Sequence, residues 1–425
     1  MVHKCMVRIS FNIMDNPFFW GAATSSHQVE GGNKNDWSEW EKSEARIAKL
    51  QAEIKSPDFK KRFPDYIFEQ SPTPAELENY ASGQACDHYH RFSEDFNIAK
   101  SLSHNAHRFS IEWSRIEPEE GKFDPKEIEH YRQVVNALRE RGLEPFLTLW
   151  HWTLPIWLAE KGGTKSRQFP AYFERYAKRI ADSFGSDVRF WITVNEPEVY
   201  SAHSYFKGTW PPQKKSVLAF YRSISNLAEA HRRGYRAIKS AYPAAQIGSA
   251  LHFVYFESAG GLWNDTLETI ADRAWNFYFL NRVRHSIDFI GANYYHHNRI
   301  NFGFNKNVNA SVSDMGWEIY PEGIYHLVHK LNRFSKPIYI TENGLADARD
   351  AKRSKFTANH IAWVRKAIKE GVNVRGYFHW SLLDNFEWDK GFWPRFGLVE
   401  IDYKTLERKI RPSAWEYKEI IDASK

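Results

Sequence analysis

Short apolar runs alternate along the chain with longer stretches in which apolar residues recur at three- and four-residue steps. Eight of the short runs read as strands: Phe18–Ala22, Ala106–Ile111, Pro145–Leu149, Phe190–Val194, Ile247–Leu251, Phe289–Asn293, Ile338–Thr341 and Gly376–Trp380. The clearest helix follows Phe123. Asp124 reads as its N-cap, Pro125 as its first residue and Glu127 as the partner completing a capping box. Ile128, Tyr131, Val134, Val135 and Leu138 then line one face, and Gly142 ends the helix. Strand–helix alternation of this kind builds a parallel sheet. Eight such units closing on themselves give an α/β fold, the (β/α)8 TIM barrel, whose active site lies at the carboxyl ends of the strands. An open, doubly wound sheet is the alternative that the pattern leaves.

One segment breaks the rhythm. From Glu41 to Gly83 the chain is rich in Lys, Glu, Asp and Pro and has no strand signal. Trp40 to Leu50 reads as a charged surface helix. Following the first strand, this 41–83 insertion falls on the rim of the active-site face, and it reads as a solvated decoration. No internal repeat or linker interrupts the chain, so residues 1–425 read as one barrel domain.

Composition adds little except in its aromatics. Hydrophobic residues make up 42% and charged residues 26%, ordinary values for a globular chain. The 17 Trp, 21 Tyr and 30 Phe exceed that norm, and either a large aromatic core or sugar-stacking faces would account for them. The net charge of +6 is spread along the chain without a block of like charges, which speaks against a nucleic-acid or membrane partner. Cys5 and Cys86 show no metal spacing and read as two free thiols in a reducing compartment. Met1 to Asn12 lacks the apolar core of a signal peptide, and no apolar run is long enough to span a bilayer. Together these features predict a cytoplasmic protein.

The candidate chemistry sits at two strand ends. Phe190–Val194 runs into Asn195-Glu196-Pro197, and Ile338–Thr341 runs into Glu342-Asn343-Gly344. A single such glutamate reads as a salt-bridge partner or a helix cap. Two of them, on the fourth and seventh strands, face each other across a barrel mouth. Glycoside hydrolysis needs two carboxyl groups flanking one bond.

Over nearly its whole length the chain resembles glycoside hydrolase family one, the β-glucosidase and β-galactosidase family. The resembling segments are Trp20 through Gly31, Arg108-Phe109-Ser110, Trp113-Ser114-Arg115, His151-Trp152, Asn195-Glu196-Pro197, Asn293-Tyr294-Tyr295, Thr341 through Gly344, Trp380 through Trp388 and Arg395 through Val399. The resemblance implies Glu196 as acid/base and Glu342 as nucleophile of a retaining β-glycosidase. It implies sugar contacts from Gln28, His151, Trp152, Asn195, Glu387 and Trp388, with Trp380 as a platform and Phe396 as a wall. Arg108 and Tyr295 match the residues that hydrogen-bond the nucleophile, and Trp317 resembles an aromatic on the aglycone side. No cofactor or metal is implied, and the partner is a small β-glycoside or oligosaccharide. Glu387 in place of phosphate-binding residues implies unphosphorylated substrates, since a carboxylate repels phosphate. A transglycosylase using the same intermediate, or a non-catalytic carbohydrate-binding relative, would share the fold.

The stretch between Glu196 and Glu342 is shorter than is usual in the family. Most of the loss falls between a fifth helix near Asn264 to Arg284 and a sixth strand near Asp288. That connection lies on the amino-terminal face, so the lower mouth of the barrel is expected to be thinly covered.

Overall fold

The structure, a computed structural model, describes residues 17–425. Cys5 and the leading segment Met1 to Asn12 lie outside the described residues. The strands are β1 (Phe19–Ala23), β2 (Ala106–Ser110), β3 (Glu144–Trp150), β4 (Phe190–Asn195), β5 (Gln246–Ser258), β6 (Phe289–Ile300), β7 (Ile338–Asn343) and β8 (Val374–Trp380). Each pairs in parallel with the next, and β1 pairs with β8, closing a (β/α)8 barrel. Nearly every barrel position of these strands is buried, as expected where helices cover the outside and side chains fill the inside.

The apolar runs locate the strands within a few residues, except at two ends. β5 and β6 continue past the barrel as a paired arm, Val254–Ser258 against His296–Ile300, after a register shift at Phe253. On β6 the arm is His, His, Asn and Arg before Ile300, and on β5 its apolar Phe253–Phe256 is separated from Ile247–Leu251 by His252. The helix Pro125–Glu140 starts on Asp124, whose side chain accepts from the Lys126 amide at 2.8 Å. The expected capping box is absent. Glu127 instead accepts from the Tyr89 hydroxyl (3.1 Å), while the Asp124 amide donates to the Ile116 carbonyl.

The lower mouth is closed, contrary to the expectation from the shortened segment. Phe19, Phe146, Phe190, Phe289 and Tyr339, all near the amino ends of their strands, pack ring against ring; Phe146 and Phe190 stack with centroids 4.2 Å apart. None of the five is more than 6% exposed. Glycine makes the room. A Cβ on Gly248 would meet the Phe289 ring at 2.5 Å, and one on Gly376 would meet Tyr339 at 3.0 Å. The short run into β6 is held by Asp288, whose amide donates to the Ile247 carbonyl at 2.7 Å and whose carboxylate accepts from the Ile247 amide at 2.9 Å.

The 41–83 insertion lies at the surface, with most of its residues exposed or half-exposed, and is anchored at a few points. Helix Asp36–Glu41 leads into it and breaks at Lys42, and its first part forms a second helix, Glu44–Ile54, restarted on Ser43 as N-cap. Asn79 then clamps the insertion to the last loop, donating to the Lys390 carbonyl (2.9 Å) and accepting from the Phe392 amide (3.0 Å). Phe63 packs edge-on against Trp393. Buried Leu50, Phe59, Ile67 and Tyr80 anchor the segment, and Leu50, Phe59, Phe63 and Tyr80 make it a wall of the cleft. Cys86 is a free, buried thiol that donates to the Asp384 carbonyl. No described helix is long and apolar enough to cross a membrane.

Candidate active site

A cleft of about 1160 Å³ opens at the carboxyl ends of the strands. Glu196 and Glu342 lie at its base, each about 4% exposed. Backbone geometry aims the first of them. Glu196 follows β4 with a left-handed φ of 42°, and Pro197 begins a short helix directly after it. Trp152 (φ 78°) and Trp388 (φ 51°) share that uncommon conformation at the same mouth. Each such non-glycine residue costs on the order of 1–3 kcal/mol, and such costs gather where a site holds side chains in fixed directions.

The two carboxyls differ in their partners. Glu342 forms an ion pair with Arg108 and accepts from the Tyr295 hydroxyl at 2.7 Å. Glu196 accepts from the Asn293 amide at 2.7 Å and forms no ion pair among the described residues. Burial pushes both pKa values up. The Glu342 charge pushes Glu196 higher still, whereas Arg108 and Tyr295 pull Glu342 back. Of the pair, Glu342 is thus the readier to ionise and Glu196 the readier to keep a proton.

One amide network joins these groups. Arg108 donates to Asn195 Oδ1 at 2.6 Å, Asn293 donates to the same oxygen at 3.2 Å, and Thr341 donates to Asn293 Oδ1 at 2.6 Å. Since Asn195 Oδ1 is the acceptor, its Nδ2 must be the group donating to His151 Nε2 at 3.1 Å. Burial keeps His151 neutral, so its proton sits on Nδ1, which has no protein partner. A buried N–H left open in this way is a ready donor to a ligand hydroxyl.

A sequence model of glycosyl hydrolase family 1 matches residues 11–282 and 268–425. The chain belongs to this family. Its two matched stretches overlap at 268–282, where the chain is shortened. β-Glucosidase A of Thermotoga maritima is 33% identical to it over 95% of this chain and 96% of the relative. That alignment spans 457 positions, more than the chain's 425, so the relative carries residues absent here. A β-glycosidase structure from Pyrococcus horikoshii is 35% identical, with a TM-score of 0.82 over 96% of this chain and 94% of that one. The T. maritima β-glucosidase in complex with glucoimidazole superposes with a TM-score of 0.83 at 30% identity, over 97% of this chain and 99% of that one.

This family 1 chain is a retaining β-glycosidase, and its cleft gathers most of the residues singled out in the sequence. His151, Trp152, Asn195, Tyr295, Trp317, Trp380, Glu387, Trp388 and Phe396 line it with the two glutamates. Gln28 and Arg108 do not. Arg108 lies beneath Glu342, and Gln28 is fully buried behind Glu387, its amide already donating to the Phe386 carbonyl (2.8 Å) and Asn385 (2.9 Å). Glu387 departs from expectation in its charge. Burial, then the Glu342 charge, pushes its pKa up to about 8, so it holds a proton near neutral pH. Asn293, Trp210, His203, His252 and His296 belong to the site region as well but were passed over in the sequence. For Asn293 the signal was present: it closes the apolar run of β6, as Asn195 closes that of β4.

Proposed function

We propose that Glu342 is the nucleophile and Glu196 the acid/base in hydrolysis of terminal, unphosphorylated β-D-glucosides or β-D-galactosides. The observation that supports this assignment is the asymmetry of partners, a cation and a phenol on Glu342 against one amide on Glu196. Glu342 attacks the anomeric carbon while Glu196 gives its proton to the departing oxygen, leaving an α-linked glycosyl ester. Esterification removes the Glu342 charge. Glu196 then loses the repulsion that raised its pKa and accepts a proton from the water that displaces the ester, restoring the β-anomer. The His151 Nδ1–H and the second N–H of Asn195 offer donors to sugar hydroxyls, with Trp380 and Trp388 as ring faces. The glucoimidazole bound by the T. maritima relative agrees with a glucose-sized occupant. Arg108, the cation beneath the catalytic pair, is committed to Glu342 and Asn195 and so is no partner for a 6-phosphate.

Product stereochemistry tests both roles. Glu342→Gly should lose more than about 10⁴-fold in hydrolysis and, given azide and an activated aryl β-glucoside, yield the α-glucosyl azide. Glu196→Ala should still form the ester from a good leaving group, and azide should then give the β-glucosyl azide. Identical anomers from the two variants would overturn the assignment.

A further inference from the structure

Beyond the sugar-holding floor, the outer cleft is lined by Arg46, Lys49, Lys61, Arg62, Lys207 and Lys390. Its acidic side chains are fewer and already engaged. Glu53 faces Lys49, Asp389 accepts from Trp210 and Lys390, and Asp314 accepts from Tyr66 and the Ala348 amide. Lys61 has its own partner in Asp58. No carboxylate lies within ion-pair distance of Arg46, Arg62 or Lys207 among the described residues. The Lys207 ammonium donates to His203 Nε2 at 3.5 Å.

Lys207 ends a six-residue π-turn after the catalytic β4 loop and stands beside a chain of neutral imidazoles whose protons can be placed. Trp275 Nε1 is only a donor, and it reaches His252 Nδ1 at 3.3 Å. His252 therefore carries its proton on Nε2 and donates to His296 Nδ1 at 3.0 Å. His296 is left with Nε2–H as its outward group. Burial, then the Lys207 charge, brings its pKa down to about 4, so the ring stays a neutral donor with no protein acceptor for that proton. The His296 ring lies 4.4 Å from that of Trp317, on the side where the sequence places the aglycone. This wall thus offers an ammonium with no carboxylate within ion-pair distance, an imidazole N–H and, beside that imidazole, an aromatic face.

We infer that the aglycone half of the cleft selects β-glycosides whose leaving group carries an anion, such as an aryl carboxylate, received by Lys207 and the His296 Nε2–H. A neutral aglycone would leave the ammonium solvated and the donor unpaired. An anionic one forms charge-assisted hydrogen bonds with both and is drawn in by the excess of positive charge at the rim. The inference rests on the proposed placement of the glycone at Glu196 and Glu342, and a matched pair of substrates separates the two ideas. 4-Methylumbelliferyl β-glucoside and its 4-carboxymethyl counterpart share a leaving oxygen and differ by one carboxylate.

At low ionic strength kcat/KM should favour the carboxylate by at least about fivefold. The preference should fall toward unity in 0.5 M NaCl, where the screening length is only about 4 Å. In Lys207→Met the ratio of the two substrates should fall at least threefold, and the wild-type salt dependence gives an answer that needs no variant. Equal or poorer cleavage of the carboxylate by the wild type overturns the inference, as does a ratio that Lys207→Met leaves unchanged. Failure to cleave either substrate would instead count against the glycosidase reading itself.

Discussion

Asn293 bonds both sides of the catalytic pair, through its amide to Glu196 and Asn195 and through its carbonyl from Thr341. Removing it should hurt proton delivery more than nucleophilic attack, since Arg108 and Tyr295 still hold Glu342. Asn293→Ala should lower kcat/KM by roughly 10²-fold for phenyl β-glucoside, the scale of general-acid catalysis. The loss should be much smaller for 2,4-dinitrophenyl β-glucoside, whose leaving group needs no proton. Equal losses on the two substrates would show that Asn293 does not act through Glu196. At this scale the sequence was informative where a carboxylate ends a strand. It was silent on the His252–His296 relay, because a histidine after an apolar run looks the same whether its proton faces a neighbour or the cleft.

Among the elements, the 41–83 insertion has the attachment least visible in the sequence. Its Lys, Glu and Pro content suggested solvent, but only a few of its residues make the attachment. Asn79, Phe63 and the Arg46 guanidinium, which donates to the Asp389 carbonyl at 2.9 Å and lies over Trp40, bind it to the last loop. Scattered anchors of this kind have no period for a sequence pattern to register. The β5–β6 arm escaped for a related reason: its pairing needs only backbone, and its side chains are mostly polar. Asn79→Ala strands the Lys390 carbonyl, at a cost of about 1–3 kcal/mol, while the Phe392 amide keeps its bond to the Asn79 main-chain carbonyl at 3.1 Å. It should lower the melting temperature and raise hydrogen exchange through 36–80. Unchanged exchange there would mean the wall is held by packing alone.

For the whole molecule, the barrel itself was legible because a strand buried on both faces leaves an unbroken apolar run. The closed floor was not, since nothing in a single run tells that five aromatic rings meet. Burial on this scale also traps charge. Glu198 accepts from the His252 amide at 2.5 Å, and desolvation pushes its pKa up to about 8. Between about pH 4.5 and 8 the native chain keeps a proton that the unfolded chain releases, so this group makes stability fall as pH rises through that window. Glu198→Gln cannot titrate, yet keeps the acceptor for His252. Urea unfolding at pH 5.5 and 7.5 should show a smaller loss between the two pH values in the variant than in the wild type, and an equal loss would refute the shift.

The sealed floor also sets an order of traffic. With Phe19, Phe146, Phe190, Phe289 and Tyr339 filling the lower end, substrate, departing aglycone, incoming water and released sugar all share the upper mouth. Water cannot reach the glycosyl ester from behind, so the aglycone must clear the cleft before the second half of the reaction begins. Whatever lingers between the 41–83 wall and Trp317 therefore acts as a stopper, and the exit of the first product governs the entry of the second reactant.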